Sequence, residues 1–347
     1  MITENSKRQN CPKFIILEEM KNINLPYDSL KPIEAVIDTV CMFQKLKEIL
    51  NDKNSDWTNQ IGVINYLRRI HKFEKSSFYQ FFFGAKIYQK IIDLINSVRS
   101  SVSKNVLVLL NEIFSENIPE NKNSIITLLK LCIPCLISKI NSNQSFIKIE
   151  SKVCLESIIK NMLFFEVLLI FLQLLSNKTN SNKEKDNELL TELIIKLIKN
   201  LGKDKLVENT QFNELIKYIV SFYEINEDKN VKISKNILDC LVEVMTKDNF
   251  NVKIEKCGKK EKDSIQAIMK TKIDNVKKKR GTVSSIHFRK VIHERKKSYK
   301  LSKCPARSFD KGNKSVSIKI SGKNKVSMIT NTKPVKIKND ENVQKNN

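Results

Sequence analysis

The stretch "NDKNSDWTNQIGVINYLRRIHK", residues 51–72, indicates how most of the chain folds. Its first six residues are polar. From Trp57 onward, apolar residues recur near the 3.6-residue period of an amphipathic helix, between Ile61 and Ile70. A second apolar stretch of helical character, residues 33–50, precedes the polar loop. Together the two stretches predict a pair of helices joined by a short loop.

The same pattern of two helical stretches and a polar loop occurs four more times, at a spacing of about 40 residues. A period of this length is typical of HEAT and armadillo repeats, in which each helical hairpin buries its apolar faces against its neighbours. The chain has only 7 glycines and 7 prolines, which disfavours sandwiches, barrels and Rossmann folds. We therefore predict an all-α fold, an α-solenoid of about five to six HEAT-like helix pairs. The four further pairs are 78–95 with 101–115, 123–140 with 150–161, 162–175 with 187–201, and 211–224 with 231–247.

Positive charge is concentrated at one end of the chain. Of the 62 lysines and arginines, 28 lie in residues 251–347, against 8 of the 38 acidic residues, so this end carries +20 of the net charge of +24. A segment with so much charge and few aromatic residues cannot bury enough surface to offset its ordering entropy. We predict an irregular segment over 1–30, the helical array over 31–250 and a disordered basic tail over 251–347. No clear sixth repeat follows residue 250.

The predicted tail favours a polyanionic partner. Its densest basic run is Lys277, Lys278, Lys279 and Arg280. Nucleic acid, anionic lipid and an acidic protein surface, such as the acidic tails of tubulin, all fit such a segment. The same run is also typical of a nuclear localisation signal or a nucleic-acid patch, so a nuclear location stays an alternative.

The sequence contains no catalytic or metal-binding pattern. Its glycines are isolated, so there is no glycine-rich phosphate loop. Cys132 and Cys135 lack the second cysteine pair or the spaced histidines that a zinc site needs. We therefore predict no enzyme activity, no cofactor and no metal. Because no secretory signal is evident at the amino terminus, we expect a cytoplasmic location without disulfides.

The longest apolar run suits a buried helix. Residues 162–175 number 14 and include Glu166 and Gln173. Because a membrane-spanning helix needs roughly 20 apolar residues, we predict no membrane span.

The loops inside the helix pairs carry the candidate functional residues. In a repeat array these loops fall on one edge of the stack, and function lies mostly on such a row of loops or on the concave face. Here one aromatic residue is followed by a series of cations. Structural alternatives stay open. Trp57 caps the core of the first repeat, Arg99 with Ser100 and Ser103 caps the following helix, with Ser100 or Ser101 as its N-cap, and the lysines are simply solvated. The candidates are Trp57, Arg99, Ser100, Lys148, Lys183, Lys185, Lys229 and Lys232.

Five motifs in these repeats resemble a known family when they are taken in order. They are "SDWTNQIGVINYLRRI" (55–70), "NSVRSSVSKNVLVLLNEIF" (96–114), "NSNQSFIKIESKVCLESII" (141–159), "LIKNLGKDKL" (197–206) and "INEDKNVKISKNILDCLVEV" (225–244). This series resembles the TOG domain, the tubulin-binding HEAT domain. It is most similar to the branch that contains the CLASP proteins and the TOG array regulators of axonemal microtubules (crescerins).

The resemblance implies a function without chemistry. Trp57 would be an interface anchor, and the loop cations would contact the acidic surface of αβ-tubulin. The chain would then regulate the growth or stability of microtubules in the cytoskeleton, including cilia and flagella, with its tail on the acidic tubulin tails. Two alternatives remain: a HEAT-type adaptor that binds another protein on its concave face, and a nucleic-acid-binding protein led by the tail.

Overall fold

The computed structural model describes residues 18–271 except 24, 34–38, 53, 117–121 and 178–183. This part of the chain is helical and contains no strand, which confirms the predicted all-α class. The helices are α1 Thr39–Asn51, α2 Trp57–Phe73, α3 Lys75–Gly84, α4 Ile87–Leu94, α5 Ser100–Phe114, α6 Lys122–Ile140, α7 Ser145–Asn161, α8 Phe165–Ser176, α9 Glu184–Val207, α10 Phe212–Ile225, α11 Glu227–Met245, α12 Lys247–Ile254 and α13 Lys259–Lys270.

The helices stack in two layers. In the first layer α1, α4, α6, α8 and α10 follow one another, and in the second layer α2, α5, α7, α9 and α11 do the same. Each first-layer helix also packs against the second-layer helix that follows it in the chain. This arrangement confirms the five predicted helix pairs. The side chains between the layers form a continuous apolar core from Met20 to Ile268.

Hydrogen bonds between successive repeats fix their register. Near the end of α7, Asn161 Nδ2 donates to the carbonyl oxygen of Phe114 at 2.8 Å. One repeat further on, Asn200 Nδ2 donates to the carbonyl oxygen of Ile159 at 3.1 Å. The last carbonyls of a helix have no partner inside it, so each amide satisfies a group that stacking alone would leave unpaired.

The first helix of the second repeat is interrupted. The sequence predicted one helix over 78–95, but α3 ends at Gly84 and α4 begins at Ile87. Between them Lys86 adopts a left-handed conformation with φ 55°. The break lets α3 and α4 turn separate apolar faces toward the core. Phe78 and Phe82 are buried on α3, and Ile91 is buried on α4.

The array extends beyond its predicted end at residue 250. Residues 251–270 were assigned to the disordered tail, but α12 continues to Ile254 and α13 packs against α10 and α11. Ile265 and Ile268 are the buried residues of α13. The helix is therefore amphipathic, although most of its residues are polar. Lys235 of α11 donates to the carbonyl oxygen of Thr271 at 2.6 Å and so holds the end of α13.

Helix α6 is the one helix in the described ranges that is long and apolar enough to cross a membrane. The sequence analysis had considered only residues 162–175, which form the buried α8. Helix α6 packs against α4, α7 and α8, and Leu128, Leu129 and Ile133 are fully buried there. Such packing is typical of a core helix.

The expectation that the chain has no disulfides is wrong at one cysteine. Cys41, near the start of α1, is disulfide-bonded. Cys132 is buried in α6, and its burial raises the pKa of its thiol well above the usual range. The Cys154 thiol donates to the carbonyl oxygen of Leu107 at 3.0 Å.

Gly202 interrupts α9 near its carboxyl end. Its φ of 75° and ψ of 174° interrupt the helix, in a region that side chains rarely adopt. No atom within 4 Å would meet an added methyl group at Gly202 or at Gly84. We expect Gly202→Ala to lower the free energy of unfolding by about 1–3 kcal/mol. Gly84→Ala, at the end of a helix, should leave it unchanged or raise it by up to about 1 kcal/mol. Urea denaturation measures both, and equal effects would contradict the assigned backbone strain.

Candidate protein-binding edge

The candidate residues that the structure describes lie at the amino-terminal ends of the second-layer helices. Helices of this layer run parallel, because a first-layer helix returns the chain between each of them. Their first turns and the loops before them therefore follow one another along one side of the stack. We call this side the loop edge and define it by residues 54–60, 95–103, 141–148 and 226–232.

Trp57 lies in the first loop of the loop edge and is the first residue of α2. Its side chain is half-buried and packs against the apolar core. The ring therefore contributes to the first repeat, as the capping alternative proposed, and still presents part of its surface to solvent. The preceding Asp56 accepts a hydrogen bond from the Thr58 hydroxyl, which orders this corner.

The second loop presents an exposed cation beside an exposed apolar residue. Arg99 precedes α5, its side chain is exposed, and no polar partner for its guanidinium lies within the described residues. Val98 next to it is 99% exposed. The predicted capping role of Arg99 and Ser100 is wrong. The Arg99 side chain makes no capping bond, Ser100 is already the first helical residue, and Ser97 Oγ accepts the Arg99 N–H at 3.2 Å.

The third loop repeats this combination. Lys148 is exposed in the first turn of α7, and Phe146 two residues earlier is 37% exposed. Ile147 between them is buried and anchors the turn to the core. An apolar side chain and a cation thus again face solvent together.

The fifth loop is more polar. Lys229 and Lys232 are exposed in the first two turns of α11. Asn226 caps this helix by accepting the Lys229 N–H at 3.2 Å. The exposed acids Glu227 and Asp228 lie in the same turn, so charge of both signs is present here.

Equivalent hydrogen bonds hold two of these loops in place. Ser103 Oγ, in the fourth position of α5, donates to the carbonyl oxygen of Ile95 at 2.5 Å. Asn230 Nδ2, in the fourth position of α11, donates to the carbonyl oxygen of Phe222 at 2.7 Å. Each bond ties the start of a second-layer helix to the end of its partner helix. A binding surface on these loops is therefore pre-organised, which reduces the entropy cost of binding.

Several candidates lie outside the described residues. Lys183 belongs to the undescribed part of the fourth loop, and Lys185 lies in α9 but its side chain is not described. Lys277, Lys278, Lys279 and Arg280 also lie outside the described residues. The loop edge that can be assessed thus consists of the first, second, third and fifth loops.

The sequence analysis missed the two exposed apolar residues. Within the described part, the large exposed apolar side chains are few, and Val98 and Phe146 lie directly beside predicted cations. The signal was present in "SVRS" and "QSFIK", where an apolar residue stands among polar loop residues. Its exposure could not be read from these letters, because Ile147 in the same segment is buried.

Comparison with known proteins adds no relative. No protein-family model matches the chain, and no curated protein matches it either. The resemblance to TOG domains therefore rests on the motifs alone and stays a prediction.

In the described ranges, no group of three or more His, Cys, Asp or Glu residues is arranged to hold a metal ion.

Proposed function

We propose that this protein is a microtubule-associated protein that binds αβ-tubulin through its loop edge. The observation that carries the proposal is the pairing of Val98 with Arg99 and of Phe146 with Lys148 on successive repeats. Aromatic residues and arginine are typical of protein-binding hot spots. Exposed Val98 adds apolar surface beside Arg99. Tubulin as the partner is suggested by the motif resemblance, and its acidic surface complements the exposed cations.

The proposed action is binding by a rigid edge. Hydrogen bonds hold the second and fifth loops to the ends of the preceding helices, so these loops offer fixed contacts to a partner of matching spacing. Holding tubulin in this way would regulate the growth or stability of microtubules. The basic end of the chain would add long-range attraction to the acidic lattice, and this part of the binding should weaken with salt.

A matched pair of valine variants tests the loop edge. We expect Val98→Asp to weaken the affinity of the full-length chain for soluble αβ-tubulin by about tenfold or more, because it places a charge at an exposed apolar residue. The weaker affinity should appear as a loss of co-elution. Val252→Asp is the control, since Val252 is 58% exposed on α12, which follows the opposite end of α11. Size-exclusion chromatography at about 0.15 M salt limits binding by the basic end alone.

The outcomes separate the alternatives. Equal weakening by both variants, or by neither, would exclude the loop edge as the binding site. If the wild-type chain fails to co-elute with tubulin but still pellets with microtubules at low salt, the basic end makes the contact. The helical array would then serve another partner, as in the adaptor alternative.

A further inference from the structure

A stripe of hydrogen-bond donors runs along the outer face of α2. Asn65, Arg68, Arg69 and Lys72 occupy positions i, i+3, i+4 and i+7, which share one side of a helix. We call these four residues the donor stripe. In the rest of the second layer, a preceding helix covers the equivalent side, but α2 is the first helix of its layer. The residues 18–33, apart from 24, cover it instead, and we call them the N-terminal segment.

The first two residues of the donor stripe, Asn65 and Arg68, bind the backbone of the N-terminal segment. Asn65 Nδ2 donates to the carbonyl oxygen of Met20 at 2.7 Å and to that of Asn22 at 3.0 Å. Arg68 Nη1 donates to the carbonyl oxygen of Leu25 at 3.0 Å.

The last two residues of the stripe, Arg69 and Lys72, also bind backbone carbonyl oxygens of the segment. Arg69 donates to the carbonyl oxygen of Lys31 at 2.8 Å and to that of Pro32 at 2.7 Å. Lys72 Nζ donates to the carbonyl oxygen of Tyr27 at 2.8 Å and lies over the Tyr27 ring. Arg69 Nη1 also donates to Met20 Sδ at 3.6 Å. The other acceptors in the segment are main-chain oxygens, so the stripe recognises mainly a backbone path.

Two apolar side chains anchor the segment. Met20 and Leu30 are buried, while most of their neighbours in the segment are exposed or half-buried. A small, partly open pocket of about 50 Å³ lies beside Leu30, Leu25 and Arg69.

Uncovering the donor stripe would expose amide, guanidinium and ammonium groups, which water solvates well, and also the apolar surface that Met20 and Leu30 cover. Arg68 would also keep its ion pair with Glu112 of α5 at 2.6 Å. The segment is therefore held by polar contacts to its backbone together with two apolar anchors.

We propose that the donor stripe is a second binding surface for an extended peptide with two apolar anchors, and that the N-terminal segment occupies it in cis. A partner peptide binds by displacing the segment and offering its own carbonyl oxygens to the same four donors. The segment thereby controls access to the surface. This surface lies on the outer face of α2 and is separate from the loop edge, so its test does not depend on tubulin.

A full-length variant with an opened segment tests this proposal. Met20→Asp with Leu30→Asp removes both anchors but leaves the donor stripe intact. A fluorescent peptide with the sequence of residues 18–33, EEMKNINLPYDSLKPI, is then titrated against the variant and the wild type by anisotropy. We expect about tenfold or tighter binding to the variant, because in the wild type the tethered segment competes at high effective concentration.

Control peptides and variants define the mode of binding. A peptide with aspartate in place of both anchors should not bind, whereas alanine at the exposed Asp28 and Ser29 should leave binding unchanged. Arg69→Ala in the opened variant should weaken binding. An opened variant that keeps its helical circular dichroism but binds the peptide no better than wild type would overturn the proposal.

Hydrogen exchange on the wild type provides a test that needs no variant. If the segment opens separately, its protected amides exchange faster than the core amides of α5, because local opening precedes global unfolding. Exchange of both at the same rate would overturn the proposal, since the segment would then be an inseparable part of the core.

Discussion

Replacing Glu112 by alanine is expected to lower the free energy of unfolding by about 3–5 kcal/mol, the cost of breaking a buried ion pair. Arg68 is only 2% exposed, and its Nη2 and Nε atoms lie 2.6 Å and 2.9 Å from the two carboxylate oxygens of Glu112. Without the carboxylate, the guanidinium would stay buried with one neutral acceptor from Asn65 and one from Leu25. These acceptors satisfy its hydrogen bonds only in part and leave its charge uncompensated.

A double variant separates the charge from the packing. Burial raises the pKa of Glu112, against the Arg68 guanidinium beside it, because a buried carboxylate loses its hydration. That cost disappears when both charged groups are replaced by apolar ones. We therefore expect Arg68→Met with Glu112→Leu to be far more stable than Glu112→Ala alone, as buried pairs replaced by apolar groups often are. Urea denaturation of the single and double variants measures this. A loss below about 1 kcal/mol for Glu112→Ala would place the pair among the weak surface ion pairs.

The period of the sequence was sufficient to predict the architecture. Helix pairs about 40 residues apart can bury their apolar faces only by stacking, so the two layers and the loop edge follow from spacing alone. The break at Lys86 did not follow from it, because a left-handed residue without glycine leaves no compositional signal. The helix at Lys259–Lys270 was missed because lysines surround its few apolar positions.

One repeated motif at the ends of second-layer helices was also missed. Gly202 in "GKDKL" and Thr246 in "TKDNF" both have positive φ. Gly202 interrupts α9 near its end, and Thr246 directly follows α11. The buried residues that follow, Leu206 and Phe250, occupy the same place in the two motifs. Threonine is unfavourable in this conformation, so the equivalence is visible only once the backbone is known.

The candidate site was predicted less completely than the fold. Spacing brought the loop cations to one edge, but it could not separate exposed Val98 from buried Ile147, because exposure depends on the angle at which each loop meets its helix. The donor stripe was not predicted, because the sequence analysis considered only the apolar positions of this helix between Ile61 and Ile70. Polar residues bound to backbone carbonyls have no sequence pattern of their own, so only the structure connects α2 with the N-terminal segment.

His71 is expected to make the protein less stable in mild acid. Its ring is fully buried on α2 between Phe78 and Tyr79, and its Nε2 atom lies 3.4 Å from the Tyr79 hydroxyl. No partner for its Nδ1 atom lies within the described residues. Burial lowers the pKa of His71 to about 4, against the opposing effect of Glu116 and with a smaller contribution from Lys75.

The sign of the pH dependence follows from this depressed pKa. His71 is neutral in the folded protein, whereas in the unfolded chain it takes up a proton near its ordinary pKa of 6.5. The unfolded state therefore binds more protons between about pH 6.5 and about pH 4. The contribution of His71 to stability is present above this window and is lost as the pH falls through it, by about 3 kcal/mol in all.

A His71→Leu variant isolates this contribution, because leucine has a similar volume and does not titrate. Urea denaturation of wild type and variant across the same window should give a steeper loss of unfolding free energy for the wild type, by up to about 1.4 kcal/mol per pH unit. Carboxylates titrate in both proteins, so only the difference between the two curves reports on His71. Parallel curves would mean that the imidazole is accessible to protons in the folded state, and that the aromatic residues around it do not exclude water.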